Sequence, residues 1–384
     1  MPERFFCEKK AIIWKLDKIL IDKKIKKVSN DGKSMERALK MEKAFQKMSA
    51  QPQALPESKE PLALPVRLNG SAKEKRQLTH IINEMCKSDA GMSVIETALD
   101  NDYTFLFDKS IGATYGYADS GEEVCALNPN YPAADLITTI AHELRHVQQF
   151  ETEIYEECDP YGANVKSNLM LTRAMEADAE AYGCLVSWEL KEQGAPDAWN
   201  TFKADFPEVA KPFEKALSES GDVNEARTAA FMGWFDNLHR RDSYDAGYVE
   251  TMSRIKADKT LKNYKPERFI EEICQAGGDA YFTQDYKIIG SDKCVSVSPD
   301  TKKALKEIFD RRAAEGKKPD ASLNKLPVVA APVEEKPAAK SQEAKAAAVE
   351  AKQESARAAI MQKRAQKDAA SMIALRARAA KLSR

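Results

Sequence analysis

Residues 141–149, with the sequence AHELRHVQQ, lie inside a run of uninterrupted helical periodicity. On an α-helix, residues four positions apart lie one above the other, so the imidazoles of His142 and His146 can meet at one point. Glu143 is turned by about 100° from His142, which places its carboxylate beside that point. The stretch therefore predicts a helix that carries two metal-ligating histidines and an adjacent carboxylate base, a pattern typical of zinc hydrolases.

The surrounding residues fit a helix with one polar face and one buried face. Pro132 and Asp135 suit the first turn. A stripe of apolar residues lies behind the histidines: Leu136, Ile137, Ile140, Ala141, Leu144 and Val147. Because the whole chain has only 4 His, accidental spacing of two of them around a glutamate is a poor explanation of the motif.

Cysteine usage and the lack of a long apolar run bear on the compartment. The 7 cysteines include no Cys-x-x-Cys pair, and their number is odd. This pattern argues against a disulfide framework and against a cysteine zinc site, and it fits a reducing compartment. The first residues hold no apolar run long enough for a signal peptide or a membrane span. We expect a cytoplasmic protein, with attachment to the membrane periphery as an option through its basic ends.

Charge is distributed unevenly along the chain. Residues 1–48 carry 14 Lys and Arg against 7 Asp and Glu, and residues 340–384 carry 11 against 4, whereas residues 49–339 carry 34 against 49. Apolar residues at helical spacing among lysines predict a basic amphipathic helix near residues 12–27, which either docks on the protein or meets an anionic membrane surface or an acidic partner. Binding of nucleic acid by the basic tail is the less favoured option.

Two proline-rich segments divide the chain. Prolines recur at 52, 56, 61 and 65, and again at 319, 327, 332 and 337, where neither a helix nor a paired strand continues easily. We therefore predict a basic helical extension over 1–50, a linker over 51–66, a main domain over 67–318, a second linker over 319–341, and a basic tail over 342–384. The tail is rich in Ala, Lys and Glu and is predicted to be helical or disordered.

The main domain is predicted to be of the α+β class and mostly helical, with a small sheet ahead of the motif helix. Short strands are expected over 103–107, 113–117 and 123–127, and a last hairpin over 286–289 and 294–297. The remaining pattern predicts helices at 72–86, 91–99, 196–204, 213–218, 223–240, 246–257, 267–274 and 299–315.

A second helix is predicted from about residue 169, and its alternating alanines would allow it to pack closely on the motif helix. Two histidines do not complete a catalytic zinc site, which usually has three protein ligands and a water. The other imidazoles, His80 and His239, do not lie in a matching pattern. The third ligand is therefore expected from another helix that faces the first.

A resemblance to known enzymes extends this argument. His-Glu-Leu-Arg-His at 142–146, followed about thirty residues later by Glu-Ala-Asp-Ala-Glu-Ala at 176–181, is similar to the gluzincin class of zinc metallopeptidases. With the preceding Leu-Asn-Pro at 127–129, residues 70–190 resemble a family of bacterial metallopeptidase domains of undefined substrate. The resemblance implies a zincin-like fold and Zn²⁺ as the cofactor. It also implies peptide or protein substrates, which would pair with the strand at 123–127.

Carried over by position, the third ligand is Glu176, and Glu180 and Asp178 either support a ligating histidine or are alternative ligands. Glu143 would take a proton from the metal-activated water and pass it to the leaving amine. Tyr155, Tyr182 and His239 are candidate donors to the oxyanion. The sequence leaves two other functions open, a zinc hydrolase that does not cleave peptides and an adaptor with a vestigial metallopeptidase domain.

Overall fold

The structure is a computed structural model that describes residues 55–329 except 113, 153, 155–157, 159–161, 254–260, 277–278, 317 and 319. The described chain is mostly helical, with a four-stranded sheet and a two-stranded one. This agrees with the predicted α+β class. The predicted N-terminal amphipathic helix and the C-terminal tail lie outside the described residues.

The helices follow one another along the whole described chain. They are α1 Ala72–Met85, α2 Asp89–Asp100, α3 Ala133–Glu151, α4 Val165–Glu192, α5 Asp197–Asp205, α6 Pro207–Ser220, α7 Val223–Trp234, α8 Leu238–Ser253, α9 Ile270–Ile273, α10 Asp292–Val295, α11 Pro299–Ala314 and α12 Ala321–Asn324. The strands are β1 Arg67–Leu68, β2 Thr104–Phe107, β3 Gly116–Asp119, β4 Val124–Leu127, β5 Gln275–Ala276 and β6 Asp279–Ala280.

The larger sheet has the strand order β1-β2-β4-β3. β2 is parallel to β1 and to β4, whereas β3 is antiparallel to β4 and forms one edge. We predicted from resemblance that the strand at 123–127 would pair with substrate, and this prediction is wrong. All four residues of β4 pair with β2 on one side and with β3 on the other, so β4 has no free edge, and β3 is the edge strand beside the motif helix.

β3 packs directly on α3 because it begins with a glycine. A Cβ atom at Gly116 would lie 2.7 Å from the main-chain oxygen of Ala126 and 2.9 Å from Cγ2 of Thr139. Both distances are shorter than side chains tolerate, so only glycine allows the edge strand to approach the motif helix this closely. The approach places β3 alongside the turn of α3 that carries the motif.

α3 and α4 pack against each other through small side chains. Ala177 and Ala181 are fully buried. Gly183 also lies close to α3, because a Cβ atom at this position would be 3.6 Å from the main-chain oxygen of Thr138. The alanine pattern predicted this close approach. α4 begins earlier than expected, at Val165, because the side chain of Asn164 caps its first turn.

Two local predictions are corrected by the structure. The hairpin expected over 286–289 and 294–297 is instead a 3₁₀ turn, Tyr286–Gly290, followed by α10. Side-chain capping by Asp285 starts the turn, and short apolar runs do not by themselves distinguish strand from helix. The single helix expected over 223–240 is two helices, since α7 ends at Trp234 and the side-chain oxygen of Asn237 accepts from the N–H of Arg240 in the first turn of α8.

The described ends of both proline-rich segments contact the body of the protein. Leu55 and Val66 are buried at the first, and Leu323 and Leu326 at the second. Asp320 accepts a hydrogen bond from the N–H of Val165, so the second segment meets the start of α4. The division of the chain into domains stays a prediction. Within the described residues, none of the helices combines the length and apolar composition needed to cross a membrane.

Candidate metal centre

α3 and α4 bring two imidazoles and one carboxylate to a single point. The Nε2 atoms of His142 and His146 are 3.2 Å apart. Oε2 of Glu176 lies 3.4 Å from Nε2 of His142 and 3.5 Å from Nε2 of His146. All three residues are partly buried, and together they form a group that could hold one metal ion.

The spacing of these three atoms fits a tetrahedral zinc ion. Zinc–nitrogen and zinc–oxygen bonds of about 2.0–2.2 Å place neighbouring ligand atoms of a tetrahedron about 3.3–3.6 Å apart. Oε2 of Glu176 is buried and has no hydrogen-bond partner among the described residues. A buried carboxylate oxygen without a partner is costly unless a cation compensates it. The donor set therefore fits a divalent cation.

Electrostatics at the group also favour a positive charge. Burial lowers the pKa of His142, but the facing carboxylates of Glu176 and Glu180 outweigh it and raise that pKa to about 9. Burial raises the pKa of Glu176, whereas the imidazoles of His146 and His142 hold it well below its usual range. The carboxylates that stabilise a proton on His142 would equally stabilise a metal ion in its place.

Glu143 lies beside the three candidate ligands and is held by the edge strand. Its Oε2 accepts a hydrogen bond of 3.2 Å from the main-chain N–H of Ala118 in β3. The side chain is buried, with 6% of its surface exposed. The carboxylate of Glu143 therefore has a defined orientation, as a general base requires.

Glu180 lies one turn beyond Glu176 and faces the other nitrogen of His142. Its Oε2 is 3.6 Å from Nδ1 of His142 and 3.7 Å from Nη1 of Arg240. Arg240 also pairs with Glu208 at 3.0 Å. A row of alternating charges thus extends from the histidine into the protein, and Glu180 faces Nδ1 of His142 whereas Glu176 faces Nε2.

Asp178 points away from the imidazoles, into the core. It is fully buried and pairs with Arg145 at 2.7 Å. Of the three acidic side chains on α4 that the sequence left as alternatives, only Glu176 has an oxygen within the group of imidazole nitrogens. The two-residue offset between Glu176 and Asp178 turns the latter by about 200° around the helix.

Of the three predicted oxyanion donors, Tyr182 points away from this group. The hydroxyl of Tyr182 donates to the main-chain oxygen of Ala90 in the core. His239 is exposed at the start of α8, and Tyr155 lies outside the described residues. Sequence reasoning missed Tyr248 of α8, whose hydroxyl donates to Oε1 of Glu176 at 3.2 Å. No motif marks Tyr248, since it comes into place only through the packing of α8 on α4.

Comparison with known proteins agrees with this geometry. Residues 52–283, well over half of the chain, match the family model described as "Putative metallopeptidase family (DUF6782)". The chain belongs to this family. The metallopeptidase family match contains the sheet, α3, α4 and Tyr248, and it ends before α10 to α12. No curated protein and no solved structure was found to match the chain.

Proposed function

We propose that this member of the metallopeptidase family is a zinc-dependent peptidase in which His142, His146 and Glu176 bind the metal and Glu143 is the general base. The observation that carries the proposal is the group of three ligand atoms 3.2–3.5 Å apart, one of them a buried oxygen with no hydrogen-bond partner among the described residues. Two histidines and a carboxylate are a ligand set that catalytic zinc sites use.

The protein groups around this site have distinct tasks in peptide hydrolysis. Bound zinc would supply a Lewis acid that lowers the pKa of water to about 7 and polarises the scissile carbonyl. Glu143 accepts a proton from the attacking water and returns it to the leaving amine. Ala118 holds the Glu143 carboxylate in place for both transfers, and Tyr248 orients Glu176 through the oxygen that faces away from the imidazoles.

The edge strand β3 lies beside the proposed base, and its other side is bonded to β4. All four of its residues are buried, and the N–H of Ala118, which does not pair with β4, donates to Glu143. An extended peptide would pair with β3 only if these contacts opened. A peptide substrate is therefore supported by the family match rather than by an open strand edge.

The test combines metal analysis with hydrolysis of a peptide library. The purified wild-type protein is expected to contain about one zinc per chain, and a Glu176→Gln variant much less. A Glu143→Gln variant is expected to keep its zinc and to lose about 10²–10⁴-fold in the rate of hydrolysis. Zinc without cleavage of any peptide would favour a hydrolase that acts on other substrates, and wild-type protein without zinc would favour an adaptor.

A further inference from the structure

His146 contacts a second side chain of its own helix through the nitrogen that faces away from Glu176. Its Nδ1 lies 2.8 Å from Oε1 of Gln149, three residues further along α3. Because an amide oxygen can only accept, Nδ1 must carry the ring proton. Nε2 then has its lone pair free, and this is the atom that faces His142 and Glu176.

The amide of Gln149 has only one orientation that its neighbours allow. Its Nε2 donates to the main-chain oxygen of Met175 at 3.0 Å and to Oδ2 of Asp178 at 2.7 Å. Both partners are acceptors, so a flipped amide would place its oxygen against two other oxygens. Gln149 is 1% exposed, and solvent does not compete for these bonds. The amide oxygen is therefore held towards His146.

Asp178 is fixed in turn by donors from separate parts of the chain. Oδ2 accepts from Nε of Arg145 at 2.7 Å, and Oδ1 accepts from the hydroxyl of Tyr281 at 2.7 Å. Nη2 of Arg145 also donates to the main-chain oxygens of Ile273 and Gln275, each at 2.8 Å. A fully buried carboxylate with this set of donors has little freedom to move.

We propose that Asp178 and Gln149 act as positioning residues for His146, setting its tautomer and ring orientation and thereby the zinc affinity of the site. The inference rests on the proposed function and adds a role for two residues that do not touch the metal. It also distinguishes the two histidines. Nδ1 of His142 faces the charged carboxylate of Glu180. Nδ1 of His146 instead faces the neutral amide of Gln149, which the buried carboxylate of Asp178 holds in place.

The experiment measures zinc affinity in a Gln149→Met variant, with Gln148→Met as the matched control. Methionine keeps the length of the side chain but removes the amide that bonds His146. Gln148 is the neighbouring glutamine on α3. Its amide nitrogen donates to Thr97, and its amide oxygen accepts from Nη1 of Arg145, whereas the bonds of Arg145 to Asp178 come from Nε and Nη2 and do not involve Gln148. Affinity is measured by competition with a fluorescent chelator, and the visible spectrum of the Co²⁺-loaded protein reports the geometry of the ligands.

We expect Gln149→Met to bind zinc about 10–100-fold more weakly and to shift the Co²⁺ spectrum, and Gln148→Met to stay within about threefold of wild type. If Gln149→Met does not fold, Gln149→Asn replaces it, because its amide is one methylene too short to reach both His146 and Asp178. A folded Gln149 variant with wild-type affinity and spectrum overturns the inference and leaves the proposed function intact. Wild-type protein that binds no zinc overturns both.

Discussion

The main-chain N–H of Ala118 donates to Oε2 of Glu143 at 3.2 Å, and this bond joins the edge strand of the sheet to the helix that carries the His-Glu-x-x-His motif. The bond depends on Gly116, two residues earlier, which lets β3 approach α3. The sheet therefore has a direct effect at the site, because its edge strand orients the carboxylate of the proposed base.

An Ala118→Pro variant is expected to reduce peptide hydrolysis by about tenfold or more, because a small displacement of a catalytic group costs that much. Proline removes the N–H that Glu143 accepts, and edge strands tolerate proline where the N–H does not pair with another strand. Zinc content should be unchanged. Tyr117→Phe in the same strand is the control, since its hydroxyl contacts Asp108 instead. Full activity in a folded Ala118→Pro protein would contradict the role of this bond.

A Tyr248→Phe variant is expected to weaken zinc binding by about tenfold, because support of a ligating carboxylate contributes to metal affinity. The hydroxyl that is removed lies 3.2 Å from Oε1 of Glu176. Tyr244→Phe, one turn earlier on α8, loses a hydroxyl from a ring that packs on Trp234 and should bind zinc as the wild type does. Isothermal titration with zinc measures both, and equal affinities for the two variants would count against the contact.

Replacement of two helical glycines by alanine should change the free energy of unfolding in opposite directions. At Gly233 of α7, an added Cβ would lie 2.1 Å from the main-chain oxygen of Glu208, and Gly233→Ala is expected to lower the free energy of unfolding by about 1–3 kcal/mol. At Gly183 of α4 the nearest atom would be 3.6 Å away, and Gly183→Ala is expected to raise it by about 0.5–1 kcal/mol. Urea unfolding measures both, and a change of the same sign in the two variants would contradict this packing.

Asp135, in the first turn of α3, should make the stability of the protein depend on pH. Burial and the neighbouring carboxylate of Asp205 raise the pKa of Asp135 to about 7. Tyr131 is close enough for the Asp135 carboxylate to contribute to its raised pKa, and Arg240 lowers the pKa of Asp205 against the effect of burial. Because the folded protein favours the protonated form, the stability that Asp135 contributes is fully present below about pH 4 and is lost as the pH rises through 7.

An Asp135→Asn variant tests this dependence because asparagine stays neutral at every pH. The difference in free energy of unfolding, variant minus wild type, should be about 1–2 kcal/mol larger at pH 8 than at pH 5. This is less than the whole pKa shift of Asp135 would give, because Asp135 is partly exposed. Groups present in both proteins cancel in the difference. Denaturant unfolding at the two pH values measures it, and a difference that is constant or falls with pH would exclude a raised pKa.

Several elements of the fold could be predicted because they depend on local sequence. The strands at 104–107 and 124–127 lie within one residue of their predicted bounds, and α1 and α5 lie close to theirs. The prediction of a hairpin near residue 290 failed because the side chain of Asp285 caps a turn, and this local capping competes with the apolar pattern. The break between α7 and α8 was not predicted for the same reason, because the side chain of Asn237 caps the start of α8.

Contacts between residues that are distant in the chain were not predicted, because no local sequence pattern indicates them. Tyr248 belongs to no recognised motif, and it meets Glu176 only through the packing of α8 on α4. Gln149 lies three residues beyond His146, but the acceptors that orient its amide belong to α4. The choice of β3 as the edge strand also depends on the pairing of distant strands. Strand order follows from how the sheet packs on its helices, and the periodicity of a single strand does not contain it.

The sequence by itself determined that His142, Glu143 and His146 share one helical turn, because residue spacing on an α-helix is a local property. Only the tertiary structure decided which acidic residue of α4 meets them. α4 is buried on almost every side, so its apolar pattern does not show which face turns towards α3. The rotation of α4 in the packed core brings Glu176 to the imidazole nitrogens, places Glu180 behind His142 and leaves Asp178 to Arg145 and Gln149.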